Sequence, residues 1–115
     1  MKASSIALSG LQAQSLRLHA SAHNVANVLT DDFKSQRIDL QARASGGVQA
    51  SVGQVDTDGP LRFDLGTGEV AGQHSNTDLL HEVVTQITAQ RAYEANLAVI
   101  ESEMSRLDTL FDEIG

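Results

Sequence analysis

The stretch from Ser75 to Ile114 constrains this chain most, because it contains neither glycine nor proline and carries apolar residues at helical spacing. Alternating steps of three and four residues from Leu79 reach eleven positions, and nine of these are apolar. We call these positions the C-terminal stripe: Leu79, Val83, Gln86, Gln90, Tyr93, Leu97, Ile100, Met104, Leu107, Phe111 and Ile114. Such spacing is typical of a coiled-coil helix. A helix of roughly 55 Å cannot bury this stripe on itself, so another element must cover it.

The beginning of this C-terminal helix is marked by residues that favour helix N-termini. Ser75 and Asp78 have the spacing of a capping box, and Asn76 or Thr77 is the alternative N-cap. Gln86 and Gln90 interrupt the stripe, and polar residues at such positions can fix the register of paired helices.

A second stripe occurs near the other end of the chain, over residues 4–29. We call it the N-terminal stripe, and only its Ser15 is polar: Leu8, Leu11, Ser15, Leu18, Ala22, Val25 and Leu29. Four alanines lie beside it and would allow a partner helix to approach closely: Ala7, Ala13, Ala20 and Ala26. The polar run Thr30-Asp31-Asp32 is expected to end this helix, because short polar side chains compete for backbone hydrogen bonds.

Pairing of the two terminal helices is the simplest way to cover both stripes. We therefore predict a mainly α fold in which long N- and C-terminal helices pair antiparallel as a coiled coil, with short β-hairpins between them. The alternative is that each helix packs separately on the middle of the chain, but that region is poor in large apolar residues.

The middle of the chain, residues 33–74, has a different pattern. It holds seven of the nine glycines and the only proline, and apolar residues alternate with polar ones around Ile38–Leu40, Val48–Val52 and Leu61–Leu65. This alternation predicts three short strands, with a turn at Asp58-Gly59-Pro60, arranged as a small sheet or a pair of hairpins. The predicted organisation is a helical unit of residues 1–32 and 75–115 and a Gly-rich β segment of residues 33–74.

Charge excludes two classes of partner. The net charge is −7: residues 1–50 hold five basic and three acidic residues, whereas residues 51–115 hold three basic and twelve acidic residues. The acidic total argues against nucleic-acid binding and against an anionic membrane surface, while the uneven distribution favours attraction between the two halves of one chain or of neighbouring chains. No run is apolar enough for membrane insertion, and polar residues interrupt the N-terminus too early for a cleaved signal peptide.

The N-terminal helix ends in a recognisable motif. The run LRLHASAHNVANVLTDDFKSQ, residues 16–36, resembles the N-terminal signature of bacterial flagellar axial proteins, the rod and hook proteins, through these residues: Ser21, Asn24, Val25, Ala26, Asn27, Thr30, Phe33 and Lys34. The glycine that this family carries before the aromatic residue is Asp32 here. Aspartate is among the few residues that tolerate a positive φ.

The C-terminal helix begins in a second motif of the same family. The run SNTDLLHEVVTQITAQRAYEAN, residues 75–96, is similar to the C-terminal signature of flagellar axial proteins through these residues: Ser75, Asn76, Asp78, Glu82, Ile87, Ala89, Gln90, Arg91, Ala92, Tyr93 and Asn96. The two motifs cover about half of the chain in the order of the family, and the short middle segment is similar to that of proximal-rod proteins.

This resemblance implies a structural subunit of the flagellar basal-body rod, exported without a cleaved signal peptide into the periplasm-spanning rod. Its implied partners are other axial proteins and copies of itself, with no enzymatic activity, cofactor, metal or small-molecule substrate. The alternative is a coiled-coil adaptor or export-related relative that does not polymerise, which the Asp32 departure and the short length favour.

The stripes and the motifs predict which residues make functional contacts. Contacts between helices or subunits are predicted at Leu8, Leu11, Leu18, Val25, Leu79, Val83, Tyr93, Leu97, Ile100, Met104, Leu107 and Phe111. The motif residues singled out are Asn24, Asn27, Phe33, Lys34, Gln90, Arg91, Tyr93 and Asn96. An apolar strip of Leu80, Val84 and Ile87 is expected either to contact another subunit or to cover the β segment.

Several polar groups have alternative interpretations. His19 and His23 have the i, i+4 spacing of metal ligands, but no third ligand accompanies them, and surface imidazoles are the simpler interpretation. Glu82 is expected at a helix surface or interface. Arg91–Glu94 and Glu103–Arg106 have the spacing of helix-surface ion pairs.

Overall fold

Two long helices and two separate β-hairpins make up the fold in a computed structural model, which describes residues 2–114. Helix α1 spans Lys2–Ala26 and α2 spans Leu79–Ile114; between them lie β1 (Gln36–Ala42), β2 (Val48–Gln54), β3 (Leu61–Phe63) and β4 (Val70–Gln73). The prediction of a mainly α protein with a small β part is confirmed. The molecule is elongated, with extents of 80 × 25 × 15 Å.

The helices lie side by side and run in opposite directions. Near the end of α1 the Ser21 hydroxyl donates to the backbone carbonyl of Glu82, at 3.2 Å, early in α2. Near the start of α1, Gly10 lies against the side chain of Asn96, which is much later in α2. The two helices are therefore antiparallel.

Small side chains form the centre of the helix–helix interface. The buried apolar residues of the described chain are all alanines: Ala7, Ala13, Ala20 and Ala89. Ala7, Ala13 and Ala20 were expected to permit close approach, and they are buried, but the fourth, Ala26, is exposed. Because alanine and glycine let two backbones come close, polar groups of both helices can reach across the interface as well.

The two stripes lie beside this interface rather than at its centre. The following predicted contact residues are exposed: Leu8, Leu79, Val83, Tyr93, Leu97, Met104 and Phe111. Leu11, Leu18, Val25, Ile100 and Leu107 are half-buried. The exposed group is therefore covered only in part within one chain; as contacts between helices or subunits, all twelve residues stay a prediction.

The first turn of α2 is capped by Asp78. Its Oδ1 accepts hydrogen bonds from the backbone N–H groups of Leu80 and His81, at 3.1 and 3.4 Å, and its carbonyl accepts the first bond of the helix, from Glu82. The predicted capping box on Ser75 is wrong, and so are Asn76 and Thr77 as N-caps. Ser75 instead bonds Thr77, through both the backbone N–H and the hydroxyl of that residue.

Helix α1 ends at Ala26, three residues before the expected boundary. Asn27 ends it, because its side-chain Nδ2 donates to the carbonyl of His23, at 2.9 Å, while its Oδ1 accepts from the hydroxyl of Thr30, at 3.0 Å. Leu29 is consequently outside the helix and almost fully exposed.

The β segment is a pair of hairpins, one of the two predicted arrangements. β1 and β2 pair antiparallel, with Gln36 opposite Gln54 and Ala42 opposite Val48. β3 and β4 pair antiparallel with an irregularity between Arg62 and Phe63. Within residues 2–114 no strand ladder joins one hairpin to the other. The three predicted strands are present, and the fourth, β4, was missed because Gly72 interrupts its short apolar pattern.

Ion pairs join loops in this fold. Arg62 Nε lies 3.2 Å from Asp31 Oδ2, and His74 Nδ1 lies 3.5 Å from Asp31 Oδ1, so Asp31 connects the end of α1 to the second hairpin. The predicted pairs Arg91–Glu94 and Glu103–Arg106 do not form in the part of the chain that the structure describes.

The close approach at Gly10 gives the first testable prediction. A Cβ at this position would lie 2.6 Å from the Asn96 side chain, so Gly10→Leu should lower the free energy of unfolding by about 1–3 kcal/mol through overpacking. Urea denaturation measures the change. The matched control, Ser5→Leu on the exposed side of the same helix, should change it by less than about 0.5 kcal/mol. Equal stability of the two variants would contradict the packing described.

Candidate functional site

A buried side-chain amide joins α1, β1 and α2. Asn24 is 1% exposed. Its Nδ2 donates to the carbonyl of Gln36, at 2.8 Å, and to Glu82 Oε1, at 3.0 Å, while its Oδ1 accepts from the N–H of Gln36, at 2.7 Å. Asn24 therefore pairs with the backbone N–H and carbonyl of Gln36 at the start of β1, and it also bonds Glu82 in the first turn of α2.

Glu82 and two further polar side chains complete this arrangement, which we call the polar clasp: Ser21, Asn24, Glu82 and Gln86. Ser21 donates to the Glu82 carbonyl and accepts a hydrogen bond from Gln86 Nε2, at 3.1 Å. Glu82 is 4% exposed and bonds residues of α1, so of its two expected places the interface is correct and the surface is not. The carboxylate lies in the first turn of α2, where the helix dipole favours a negative charge.

A second polar cluster anchors the link between the two hairpins. Asn76 Oδ1 accepts from the N–H of Ser35, at 2.7 Å, and Asn76 Nδ2 donates to the carbonyls of Val55 and Thr57, at 2.8 and 3.0 Å. Lys34 Nζ donates to the same Thr57 carbonyl and to Gln73 Oε1, at 3.0 and 2.9 Å. The end of the N-terminal motif and the beginning of the C-terminal motif thus meet in space, although about forty residues separate them in sequence.

Asp32 has the backbone conformation that the resemblance required of glycine. Its φ is 60°, in the left-handed region, and it is the one non-glycine residue with positive φ among residues 2–114. Its N–H donates to the Gln73 carbonyl, at 2.8 Å, and its Oδ1 accepts from the Gln73 N–H, at 3.0 Å. Phe33, the next residue, packs edge-on against His23, with ring centroids 5.5 Å apart.

The remaining motif residues lie away from these clusters. Gln90 and Arg91 are exposed, and Gln90 makes only a long contact with Glu94 at 3.5 Å. Asn96 is half-buried where Gly10 approaches, and its Nδ2 bonds the carbonyl of Ala92. The structure therefore joins the N-terminal motif to the beginning of the C-terminal one and leaves Gln90 and Arg91 on the surface, next to the buried Ala89.

A groove on the side of the helix pair is lined by parts of both stripes. It has a volume of about 410 Å³ and is bordered by Leu8, Leu11, Leu16 and Tyr93, with Gln12, Ser15 and His19 at its polar positions. The N-terminal and C-terminal stripes thus contribute to one continuous surface.

Two comparisons with known proteins agree with this arrangement. Residues 73–112 match the family model described as flagellar basal body rod FlgEFG protein C-terminal, a segment that covers Asn76, the clasp residues of α2 and nearly all of that helix. The flagellar basal-body rod protein FlgC of Borreliella burgdorferi is 29% identical over 133 aligned positions, which cover 87% of this chain and 88% of that protein. Both matches are to flagellar basal-body rod proteins, one over residues 73–112 and one over 87% of the chain.

The apolar strip on α2 does not cover the hairpins. Leu80, Val84 and Ile87 are all exposed, so that alternative is wrong and contact with another subunit is the prediction that stands. It lies near the clasp, whereas the groove lies near the middle of α1.

The two histidines with the spacing of metal ligands make packing contacts. His19 borders the groove and His23 packs on Phe33. Across residues 2–114 no three His, Cys, Asp or Glu side chains are placed to hold a metal ion. Neither of the described helices has the length and apolar character needed to cross a membrane.

Removal of the clasp amide should destabilise the protein strongly. Asn24→Ala would leave the Glu82 carboxylate and the Gln36 backbone buried without their partner, so we expect a loss of about 2–4 kcal/mol in the free energy of unfolding. Chemical denaturation of the full chain measures this loss. Asn27→Ala, at a half-buried position one turn later, should lose only about 0.5–1 kcal/mol. A loss for Asn24→Ala no greater than that of the control would contradict the role of the clasp.

The positive φ of Asp32 predicts different stabilities for two small substitutions. Asp32→Ala should lower the unfolding free energy by about 1–2 kcal/mol, because alanine pays the left-handed penalty without the side-chain bond to Gln73. Asp32→Gly should stay within about 0.5 kcal/mol of the parent, since free access to positive φ offsets the lost hydrogen bond. Thermal unfolding followed by circular dichroism compares them. An alanine variant as stable as the glycine variant would count against strain at this turn.

Proposed function

We propose that this chain is a structural subunit of the bacterial flagellar basal-body rod and that it assembles through its two terminal helices into the axial structure used for motility. The observation that carries the proposal is the exposure of large apolar residues along helices whose mutual interface uses small ones. The matches to rod proteins support the same role.

The helix pair has the physical features of an assembly element. Alanine, glycine and the polar clasp form the buried centre of its intramolecular interface, and many bulky side chains beside it keep surface free for neighbouring molecules. Burial of apolar surface is worth roughly 25 cal/mol per Å². A heterologous contact that does not close on itself generates a filament, which is the form that a rod requires.

The finer features of the proposal follow from the sequence. The segments 1–32 and 75–115, which include α1 and α2, form the axial unit and pair as a coiled coil in the assembled rod, with residues 33–74 as an outer β segment. The short middle segment supports a proximal-rod position. The subunit reaches the periplasm-spanning rod by the export route of the flagellum, without a cleaved signal peptide, and its partners are other axial proteins and copies of itself.

The adaptor alternative depended on the departure at Asp32 and on the short length of the chain, and the structure bears on the first of these. The positive φ of this residue supports the rod subunit, because aspartate occupies the conformation for which the family uses glycine. The turn that follows α1 therefore keeps its geometry despite the different residue.

Complementation of a strain that lacks the gene tests the function. The parent chain should restore swimming and should be present in purified basal bodies, whereas Leu97→Glu should restore swimming poorly, since a charge on the C-terminal stripe opposes burial between subunits. The matched control is Leu65→Glu, at a fully exposed position between the strands of the second hairpin. Swimming assays and electron microscopy of basal bodies provide the readouts, and circular dichroism verifies that both variants fold.

Two outcomes would contradict the proposal. Normal swimming and intact basal bodies in the gene-deleted strain would remove the need for the chain in the rod. Equal swimming by the Leu97→Glu and Leu65→Glu strains would show that the helical stripe is not the assembly surface.

A further inference from the structure

A cavity lies beside the polar clasp, where α1, β1 and α2 meet. Its volume is about 360 Å³, within the range of small-molecule sites in proteins. Three clasp residues line it: Ser21, Asn24 and Glu82. None of its lining residues belongs to the N-terminal or the C-terminal stripe, so the surface proposed for assembly does not include it.

Two buried side chains of this cavity have hydrogen-bonding capacity that the chain itself does not use. Glu82 is 4% exposed; its Oε1 accepts from Asn24, whereas its Oε2 has no hydrogen-bond partner among residues 2–114. Ser35 is 6% exposed, and its hydroxyl has no partner in the same range, although its N–H bonds Asn76. Neither oxygen atom is completely shielded from solvent, so both can bond a ligand that enters the cavity.

The charged side chains of the lining leave one cation and one anion uncompensated. Arg37 Nε lies 3.3 Å from Asp39 Oδ2, so these two charges balance each other. Arg17 and Glu82 bond only uncharged amide side chains, and neither belongs to an ion pair in the described part of the chain. His81, also on the lining, offers a ring N–H as a further donor.

The two uncompensated charges are separated along the axis of α1. Arg17 precedes Asn24, the partner of the Glu82 carboxylate, by seven residues on the same side of the helix, which is roughly 10 Å along the axis. The long side chain of Arg17 can span part of this distance. A ligand that bonds both groups therefore needs a positive and a negative group at the two ends of a short chain.

We propose that this cavity binds a small zwitterion, an amino acid or a short peptide, whose ammonium group bonds Glu82 Oε2 and whose carboxylate bonds Arg17. Both contacts are charge-assisted hydrogen bonds, the strongest class available to such a ligand. A ligand with only a positive group leaves Arg17 uncompensated, and one with only a negative group leaves Glu82 uncompensated. A zwitterion held by α1 and α2 together stabilises the clasp, because a compound that binds only the folded chain raises its free energy of unfolding.

Titration of the ¹⁵N-labelled full-length chain tests the site. 4-Aminobutyrate represents amino acids and glycylglycine represents short peptides; each should produce saturable shifts in the amide signals of the lining residues Ser35, Gln36 and Glu82. The zwitterion that saturates at the lower concentration identifies which of the two sources fits better. Butylamine and butyrate carry only one of the two charges, so at equal ionic strength each should bind about tenfold more weakly, since each loses one charge-assisted hydrogen bond.

Variants assign the two charges of the ligand to their partners. Arg17→Gln and Glu82→Gln should each weaken the binding of 4-aminobutyrate about tenfold, through loss of one of these bonds. Circular dichroism verifies the fold; Arg17 makes no clasp bond, so Arg17→Gln tests the site even where Glu82→Gln disturbs the clasp. The matched control is Arg43→Gln, at an exposed position between β1 and β2 outside the cavity, which should bind like the parent.

Absence of saturable shifts with both zwitterions would overturn the inference. Binding of butylamine or butyrate as tight as that of 4-aminobutyrate would overturn it too, as would unchanged binding by the folded Arg17→Gln variant. None of these measurements involves basal bodies, so their failure leaves the rod function intact, and a failed complementation experiment leaves the zwitterion site intact.

Discussion

The hydrogen bonds of Asn24 to Gln36 and Glu82 hold together the parts of the chain on which the rest of the fold depends. One buried amide fixes the end of α1, the first residue of β1 and the first turn of α2. Because these partners would be buried polar groups without it, the arrangement permits little variation in helix register. The alanine interface further along the helices gives close contact but little directional preference, so the register is set mainly at the clasp.

Apolar spacing predicted the two helices and three of the four strands, since each has a clear period of its own. It failed for the interface between the helices. Hydrophobic patterns assign the largest residues to the inside of a helix pair. Here the helices approach closely at Gly10, Ala13 and Ala20 and form polar bonds across the pair, so the helix faces with small side chains point inward. Side-chain hydrogen bonds over sixty residues of sequence leave no periodic signal, so the clasp was not predictable from spacing.

The candidate site was only partly predictable, because long-range hydrogen bonds leave no local sequence signal. The motif resemblance selected Asn24 and Lys34, which form long-range contacts, but it also selected Gln90 and Arg91, which are exposed. Glu82 and Asn76 belong to the recognised C-terminal motif, although nothing local indicates that they face inward. Gln73 bonds Lys34, Asp32 and Asp58 and has no distinguishing pattern in the sequence. Its role depends on a turn geometry that only the folded chain shows.

The large apolar side chains on the outside of the helix pair have a consequence for the chain before it reaches its neighbours. Scattered molecules that carry such surfaces are prone to premature clustering. The net charge of −7 opposes this through mutual repulsion, which weakens with distance and with ionic strength. The balance between the two makes concentration and salt the conditions that decide whether copies stay dispersed.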